Sequence, residues 1–207
     1  MHAVVFDIDG TLLQSAAVDD ELYRLAVTSV LGPVTFRDAM ADYEHVSDSG
    51  ILQQILVDNK IVDRPDPTPE IITTFVNALQ MHISDNGAFR EIPGARDYLT
   101  ALRSSSNHYV AVATGGWSES ATLKLQSAAF DLSDLTLSAS NNERDRTRIM
   151  RAALDRPANE YASVTYYGDG SWDEAACAQL GWNFVPVGPT LGGLECYPGA
   201  AKILCDP

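Results

Sequence analysis

The chain has 207 residues, of which 45% are hydrophobic and 20% are charged, and this composition is typical of one globular domain, with or without an inserted unit. Its formal net charge of −14 argues against binding to nucleic acid or to an anionic membrane, because both need clusters of Lys and Arg. A small phosphorylated ligand stays compatible with this charge, since a metal ion and one or two basic side chains reverse the local field.

The cysteines and the first residues predict the cellular location. Cys177, Cys196 and Cys205 match no zinc or redox spacing, so we expect three free thiols in a reducing compartment. The first residues, MHAVVFDIDG, show no signal-peptide pattern, and no apolar stretch is long enough to cross a membrane. We therefore expect a soluble cytoplasmic protein.

Short apolar runs predict five strands, most of them apolar on both faces, as buried parallel strands are. In chain order, the predicted strands cover residues 3–6, 109–114, 135–139, 164–168 and 183–188. Helical patterns lie between them at about 95–105, 118–128, 146–155 and 173–180. This alternation predicts an α/β fold with a parallel sheet and helices on both of its faces.

Residues 14–90 interrupt this alternation, because they contain helical patterns and no convincing strand. The predicted helices of this segment cover residues 18–32, 35–44, 47–59 and 68–87, with a Pro-rich loop at 62–69. Thr68 is the expected N-cap of the last helix, and Ser47 with Asp48 is the expected N-cap pair of the third. The sequence thus predicts a core of residues 1–13 and 91–207 and an all-helical insert, residues 14–90.

Polar residues follow several predicted strands at their carboxyl ends, where open parallel α/β sheets bind ligands. In chain order they are Asp7, Asp9, Thr114, Gly115, Gly116, Arg144, Arg146, Arg148, Asp169 and Asp173. They come from four segments that lie far apart in sequence, so their convergence on one edge of the sheet predicts a functional site.

The residue types at this edge suit phosphoryl transfer. Carboxylate and backbone oxygens are the ligands that Mg²⁺ prefers, and a hydroxyl, glycine N–H groups and an arginine are donors for phosphoryl oxygens. A carboxylate beside the metal is a candidate nucleophile that would form an aspartyl-phosphate. Asp9, two residues after Asp7, is a candidate general acid for the leaving oxygen and base for the hydrolytic water.

Four segments resemble, in the correct order, the four motifs of the haloacid dehalogenase-like (HAD) hydrolase superfamily. They are DIDGTL, VATGG, a basic residue before a helix, and GDGSWD. The resemblance implies a Rossmann-like core with a helical cap inserted after the first strand. A first motif with two aspartates resembles the phosphatases and phosphotransferases of the superfamily rather than its dehalogenases.

The resemblance also implies a role for each matching residue. Asp7 would be the nucleophile and a Mg²⁺ ligand, and Asp9 would be the acid and base, with its backbone carbonyl on the metal. Thr114, followed by Gly115, would bind the phosphoryl group. Asp169 would be a metal ligand, and Asp173 would be a further ligand or a neighbour of the ligands.

The third motif departs from the superfamily, which usually has a lysine there. None of the lysines of this chain is well placed for that role in the sequence; they are Lys60, Lys124 and Lys202. The usual spacing before the helix selects Arg146, whereas the distance from Asp169 in some relatives selects Arg144. We favour Arg146 as the catalytic and phosphate-binding cation, and its planar fork would contact phosphate differently from a lysine.

These features predict a Mg²⁺-dependent phosphatase that acts on a small phosphorylated metabolite. A sugar phosphomutase on the same scaffold and a phosphate-binding regulatory domain with weakened turnover are the alternatives. Two pairs of residues keep two interpretations each. Trp117 and Trp172 either pack against glycine-rich turns or form a wall of the substrate site, and Ser47 and Asp48 either only cap a helix or also reach the site.

Overall fold

The sheet has the predicted α/β architecture. A computed structural model of the chain describes residues 1–62 and 65–199, so Cys205, Lys202 and residues 63–64 of the predicted Pro-rich loop lie outside the described residues. The strands are β1 (His2–Phe6), β2 (His108–Ala113), β3 (Thr136–Ser138), β4 (Val164–Gly168) and β5 (Asn183–Pro186). They form one parallel sheet in the order β3-β2-β1-β4-β5, which confirms the fold class.

Seven α-helices accompany the sheet in the part of the chain that the structure describes. They are α1 (Ala16–Leu31), α2 (Asp48–Asp58), α3 (Thr68–Asn86), α4 (Ala95–Arg103), α5 (Ser118–Ser127), α6 (Arg146–Ala152) and α7 (Ser171–Leu180). Short 3-10 turns cover Met40–Asp42 and Ala158–Glu160. None of the described helices combines the length and the apolar character needed to span a bilayer.

Strand β1 shows why the strands are apolar on both faces of the sheet. Its side chains alternate between two buried clusters, with Val4 and Phe6 in one and Ala3 and Val5 in the other. The first cluster continues into α1, α2 and α3, whereas the second lies under α6 and α7. The helical segment is therefore packed onto one face of the sheet through a continuous apolar core.

The segment 35–44 does not form the predicted helix. Its only regular element is the 3-10 turn Met40–Asp42, because side chains bind the backbone groups that a helix would use. The Ala39 N–H donates to the Asp42 carboxylate at 3.2 Å, and the Arg37 N–H donates to the Tyr43 hydroxyl at 2.9 Å.

The two predicted helix caps have different outcomes. Ser47 is the N-cap of α2, and its hydroxyl accepts a hydrogen bond from the Gly50 N–H at 3.2 Å, as predicted. The prediction for Thr68 was wrong, because Thr68 is already inside α3. The Asp66 carboxylate takes the capping role, accepting hydrogen bonds from the N–H and the hydroxyl of Thr68.

The two ends of the segment 14–90 meet at one place. The Gln14 N–H donates to the Arg90 carbonyl at 2.8 Å, and the Ile92 N–H donates to the Leu12 carbonyl at 2.9 Å. The chain thus leaves and re-enters the sheet region at adjacent points, as an insertion requires. The exact division into core and cap stays a prediction.

Candidate active site

A cavity of about 400 Å³ opens at the carboxyl ends of β1, β2 and β4. Most of the predicted site residues line it, namely Asp7, Asp9, Thr114, Gly115, Arg146 and Asp169. Asp7 and Asp9 directly follow β1, Thr114 follows β2 and Asp169 follows β4, so the parallel sheet brings them to one edge.

Asp7 is the buried carboxylate at the base of this cavity. Its N–H extends the sheet by donating to the Tyr167 carbonyl at 2.9 Å, which fixes the backbone, and the residue is 5% exposed. An Nη2 of Arg146 lies 3.2 Å from its Oδ1. Burial raises the pKa of the Asp7 carboxyl well above its ordinary value, and the charge of Arg146 opposes that effect.

Three carboxylates form the candidate metal centre. Asp7, Asp169 and Asp173 each offer an oxygen, and these oxygens lie within 4.8 Å of one another. Burial, followed by the charge of Asp173, raises the pKa of Asp169 to about 7. An all-oxygen set of this kind fits a hard divalent cation such as Mg²⁺, whose charge would offset the repulsion among the acids.

Gly10 allows the β1 and β4 ends to approach each other. It has a φ of 77°, which favours glycine, and a Cβ at this position would collide with the Asp169 carboxylate. The turn after β1 therefore depends on a residue without a side chain, and Asp169 occupies the space that this leaves.

Arg146 links two of the carboxylates from the first turn of α6. Asp145 caps that helix by accepting from the Thr147 N–H at 2.8 Å, and this places Arg146 at its N-terminal end. The Arg146 guanidinium contacts Asp173 Oδ1 through Nε at 2.9 Å and through Nη2 at 2.6 Å, besides its contact with Asp7. Burial acts to lower the pKa of Arg146, but Asp173, Tyr166 and Asp7 raise it well above its ordinary value.

The other two candidate arginines lie elsewhere. Arg144 lines separate surface cavities, and its carbonyl accepts a hydrogen bond from the Ser47 hydroxyl at 2.9 Å. Arg148 is largely exposed and pairs with Glu143 at 3.4 Å. Of the three arginines, Arg146 alone contacts the acidic cluster. Its catalytic role stays a prediction.

Asp173 is held mainly by its neighbours in the protein. Its Oδ1 pairs with Arg146, and its Oδ2 accepts from the Gly170 N–H at 3.3 Å at the start of α7. Burial raises the pKa of its carboxyl, and Arg146 opposes this. The residue therefore belongs to the candidate metal centre and also orients the arginine.

The loop after β2 supplies the donors. Thr114 is buried, and its hydroxyl oxygen accepts from the Gly116 N–H at 3.1 Å, which leaves the hydroxyl proton free to donate. A Cβ at Gly115 would collide with the Arg146 guanidinium, so this glycine lets the arginine reach the site. The Gly115 carbonyl accepts from the Asp48 N–H at 2.8 Å.

Ser47 and Asp48 both line the cavity, but only Ser47 caps α2, so the predicted N-cap pair was wrong for Asp48, which is the first residue of the helix. The Asp48 carboxylate accepts from the Trp117 N–H at 3.0 Å, and its carbonyl accepts from the Tyr23 hydroxyl at 2.8 Å. Ser47 therefore caps the helix and also borders the cavity, whereas Asp48 borders the cavity and joins the helical segment to the loop after β2.

The two tryptophans differ in their surroundings. Trp117 is fully buried between Tyr23 and Phe75, at ring distances of 5.5 and 6.1 Å, and its Nε1 donates to the Ser49 hydroxyl at 2.9 Å. It packs the core against the helical segment. Trp172 lines the cavity, and its ring lies over Gly170, so it both packs on the turn and borders the site.

Lys124 is the residue that the sequence missed. Its side chain is 1% exposed, and its Nζ lies 2.7 and 2.6 Å from the two oxygens of the Asp9 carboxylate. It also pairs with Asp19 on α1. Lys124 thus lies next to a predicted site residue, but it contacts Asp9 and not Asp7, so it does not occupy the position of Arg146. Lys60 is exposed in the helical segment.

The available signal for Lys124 was its place on α5. Ala121, Lys124 and Leu125 are buried together, with the spacing of one helix face. Burial acts to lower the pKa of the Lys124 ammonium, but Asp19 and Asp9 raise it above its ordinary value. A lysine on the same helix face as two buried apolar residues thus indicates a buried cation, and a buried cation needs acidic partners.

Comparison with known proteins agrees with this geometry. The family model described as haloacid dehalogenase-like hydrolase matches residues 1–181. No curated protein matches the chain significantly.

Solved structures with the same fold are numerous and distant in sequence. A hydrolase from Pseudomonas syringae is 18% identical with a TM-score of 0.67, covering 90% of this chain and 84% of its own. CbbY from Rhodobacter sphaeroides in complex with phosphate is 19% identical with a TM-score of 0.64, covering 94% and 87%. A CbbY mutant in complex with xylulose-(1,5)bisphosphate is 18% identical with a TM-score of 0.65, covering 97% and 95%.

Proposed function

The chain belongs to the haloacid dehalogenase-like hydrolase family, and from this premise we propose that it is a Mg²⁺-dependent phosphatase that hydrolyses a small phosphomonoester. The observation that carries the proposal is the buried cluster of Asp7, Asp169 and Asp173, which Arg146 joins at the carboxyl ends of β1 and β4. The CbbY structures with phosphate and with a sugar bisphosphate support a phosphorylated ligand.

Asp7 is the proposed nucleophile. A carboxylate oxygen of Asp7 attacks phosphorus, the bond between phosphorus and the ester oxygen breaks, and an aspartyl-phosphate forms. Asp9 gives its proton to the leaving alcohol. Water then attacks phosphorus, Asp9 takes a proton from it, and the bond to Asp7 breaks to release inorganic phosphate.

The donors around the phosphoryl group come from three segments. Thr114 through its hydroxyl, Gly115 through its N–H and Arg146 through its guanidinium are the proposed contacts of the phosphoryl oxygens. Asp7, Asp169 and Asp173 with the Asp9 carbonyl are the groups that would hold Mg²⁺. When bound, the ion supplies positive charge that lowers the repulsion between the nucleophile and the phosphate.

The helical segment 14–90 is the proposed cap. Ser47 and Asp48 already border the cavity, so movement of the segment toward the sheet would exclude bulk water from the reacting groups. A cytoplasmic location remains part of the proposal.

The cavity wall favours a phosphatase over a sugar phosphomutase. A mutase must also hold the second phosphate of a bisphosphate intermediate, which calls for a cation on the cap side. Among the described residues, the segment 14–90 lines the cavity with acidic, hydroxyl and apolar side chains and with no Lys or Arg. The pocket therefore suits a substrate with one phosphate and no second anionic group.

The test is hydrolysis of a panel of phosphorylated metabolites, with Mg²⁺ or with EDTA, by the wild type and by Asp7→Asn. We expect inorganic phosphate to be released only with Mg²⁺ and by the wild type, and monophosphates of neutral alcohols to be better substrates than bisphosphates. Activity that survives Asp7→Asn, or none on any ester, would overturn the proposal. Turnover of a sugar monophosphate to its isomer without release of phosphate would favour the mutase.

A further inference from the structure

Each aspartate of the DID segment has its own buried cation. Asp7 contacts Arg146 of α6, whereas Asp9 contacts Lys124 of α5, and these two helices pack on opposite faces of the sheet. We propose that Lys124 is a positioning residue for Asp9. Because Lys124 also pairs with Asp19, the orientation of the Asp9 carboxylate depends on the position of α1. This inference rests on the proposed function, in which Asp9 is the acid and base.

The contacts fix the Asp9 side chain from one side. Both carboxylate oxygens contact the Lys124 Nζ, and Oδ1 also accepts from the Ser15 hydroxyl at 2.5 Å. Two contacts to one ammonium restrict rotation of the carboxylate more than one contact would. The side chain remains 18% exposed and lines the cavity, so it is fixed without being removed from the site.

Lys124 is too deeply buried for its ion pairs with Asp9 and Asp19 to be incidental surface contacts. Burial of an ammonium is costly unless opposite charges and hydrogen bonds compensate for the lost water. Asp9 from the core and Asp19 from α1 both supply that compensation. The ammonium is therefore a fixed point between the catalytic edge and the helical segment.

The contacts around Asp9 and Lys124 come from both the core and the proposed cap. Ser15 immediately precedes α1 and Asp19 lies in its first turn, whereas Lys124 belongs to α5 of the core. A displacement of α1 would change the partners of Lys124 and, through them, the orientation of Asp9. Cap position and proton transfer are thereby coupled in one group of contacts.

A purely structural ion pair would have a different signature from a positioning pair. If the pair only joined α5 to α1, its removal would lower stability and would affect all substrates alike. If it orients Asp9, its removal would affect mainly those esters whose leaving group needs a proton. The difference between substrates separates the two roles.

The experiment compares Lys124→Met with the wild type on p-nitrophenyl phosphate and on a simple alkyl phosphomonoester, with Mg²⁺ present. The kcat/KM covers only the steps up to cleavage of the ester bond, and nitrophenolate leaves without a proton. We expect the alkyl kcat/KM to fall about 10²-fold, which is the lower end of the range for general acid catalysis, and the aryl kcat/KM to fall less than tenfold. Lys124→Arg, which keeps the charge, should recover part of the alkyl activity.

Two further variants keep the inference testable if Lys124→Met does not fold. Asp19→Asn leaves the contact between Lys124 and Asp9 in place. It should lower the ratio of alkyl to aryl kcat/KM by a smaller factor than Lys124→Met does. Lys60→Met, at an exposed lysine, is the matched control and should change neither substrate.

The outcomes distinguish this inference from the proposed function. Equal losses on the two substrates in both Lys124→Met and Asp19→Asn would overturn the positioning role alone. Wild-type protein with no Asp7-dependent turnover of either ester would overturn the proposed function and the inference together.

Discussion

The surroundings of Asp7 and of Asp9 differ in how they are built and how their charge is balanced. The Asp7 region combines three carboxylates with one guanidinium, and all four of these groups come from residues outside the segment 14–90. The Asp9 region is shared between the core and α1 and combines two carboxylates with one ammonium. The excess of negative charge in the first region is suited to a divalent cation, whereas the second is nearly compensated by the protein itself.

The sharpest way to test the Asp7 region is Arg146→Ala beside Arg144→Ala. Loss of a charged donor at a phosphoryl group costs about 10²–10³-fold in turnover, so we expect that reduction for Arg146→Ala. Arg144→Ala should remain within about threefold of the wild type, as is usual for a surface change.

Steady-state kinetics on one phosphomonoester, with melting temperatures for both variants, measure this difference. Equal and mild effects would show that the cation of the Asp7 region is not the catalytic one. Arg146→Lys is a useful third variant, because it restores the residue type that is usual in the superfamily.

The junction between core and helical segment can be weakened at Trp117. Trp117→Phe removes the hydrogen bond to Ser49 and part of the contact with Tyr23, and we expect a loss of about 1–2 kcal/mol of stability. This corresponds to a melting temperature about 2–8 °C lower for a chain of this size. A looser cap should also raise KM.

Trp182→Phe provides the matched control for that change. Trp182 is buried in the cluster on the opposite face of the sheet, away from the helical segment. We expect it to lower the melting temperature without a change in KM. A raised KM in both variants would indicate that the effect is general loosening rather than loss of the junction.

The carboxylate excess of the Asp7 region predicts how the metal-free protein responds to pH. Burial raises the pKa of Asp169 from 3.8 to about 7, so the folded state holds a proton that the unfolded chain has lost. The contribution of Asp169 to the stability of the metal-free protein should therefore be present at about pH 4 and be lost as the pH rises through about 7. Mg²⁺ should raise the melting temperature more at pH 8 than at pH 5.5, by a few degrees.

Thermal unfolding in EDTA and in Mg²⁺ at the two pH values measures this effect. Asp169→Asn should reduce the difference between the pH values in EDTA, because it removes one of the responsible carboxyl groups. A Mg²⁺-induced shift of equal size at both pH values would contradict the proposed metal centre.

The same contrast explains what the sequence could predict. Asp7, Thr114 and Asp169 directly follow apolar strands, and the carboxyl ends of parallel strands meet at one edge of the sheet. The order of strands along the sequence is therefore enough to predict that these residues lie close together. Lys124 lies in the middle of α5, more than one turn past its start, and its contact with Asp9 depends on which face of that helix is buried. Such contacts arise from packing, which strand order does not encode.

The error in residues 35–44 has a related cause. The helical pattern there was overridden by hydrogen bonds that backbone N–H groups donate to the side chains of Asp42 and Tyr43, which local propensity does not include. The choice between Arg144 and Arg146 was equally ambiguous in sequence. The capping of α6 by Asp145 places Arg146 against Asp7 and leaves Arg144 outside the helix.

The paired backbone bonds that join Leu12 to Ile92 and Gln14 to Arg90 have an evolutionary consequence. A segment whose two ends are held side by side can be lengthened, shortened or exchanged without a shift in the register of the sheet. Selection can therefore alter substrate preference in this segment while the hydrolytic edge stays unchanged. The beginning of α1 is the exception, because Asp19 must accompany Lys124 in any such exchange.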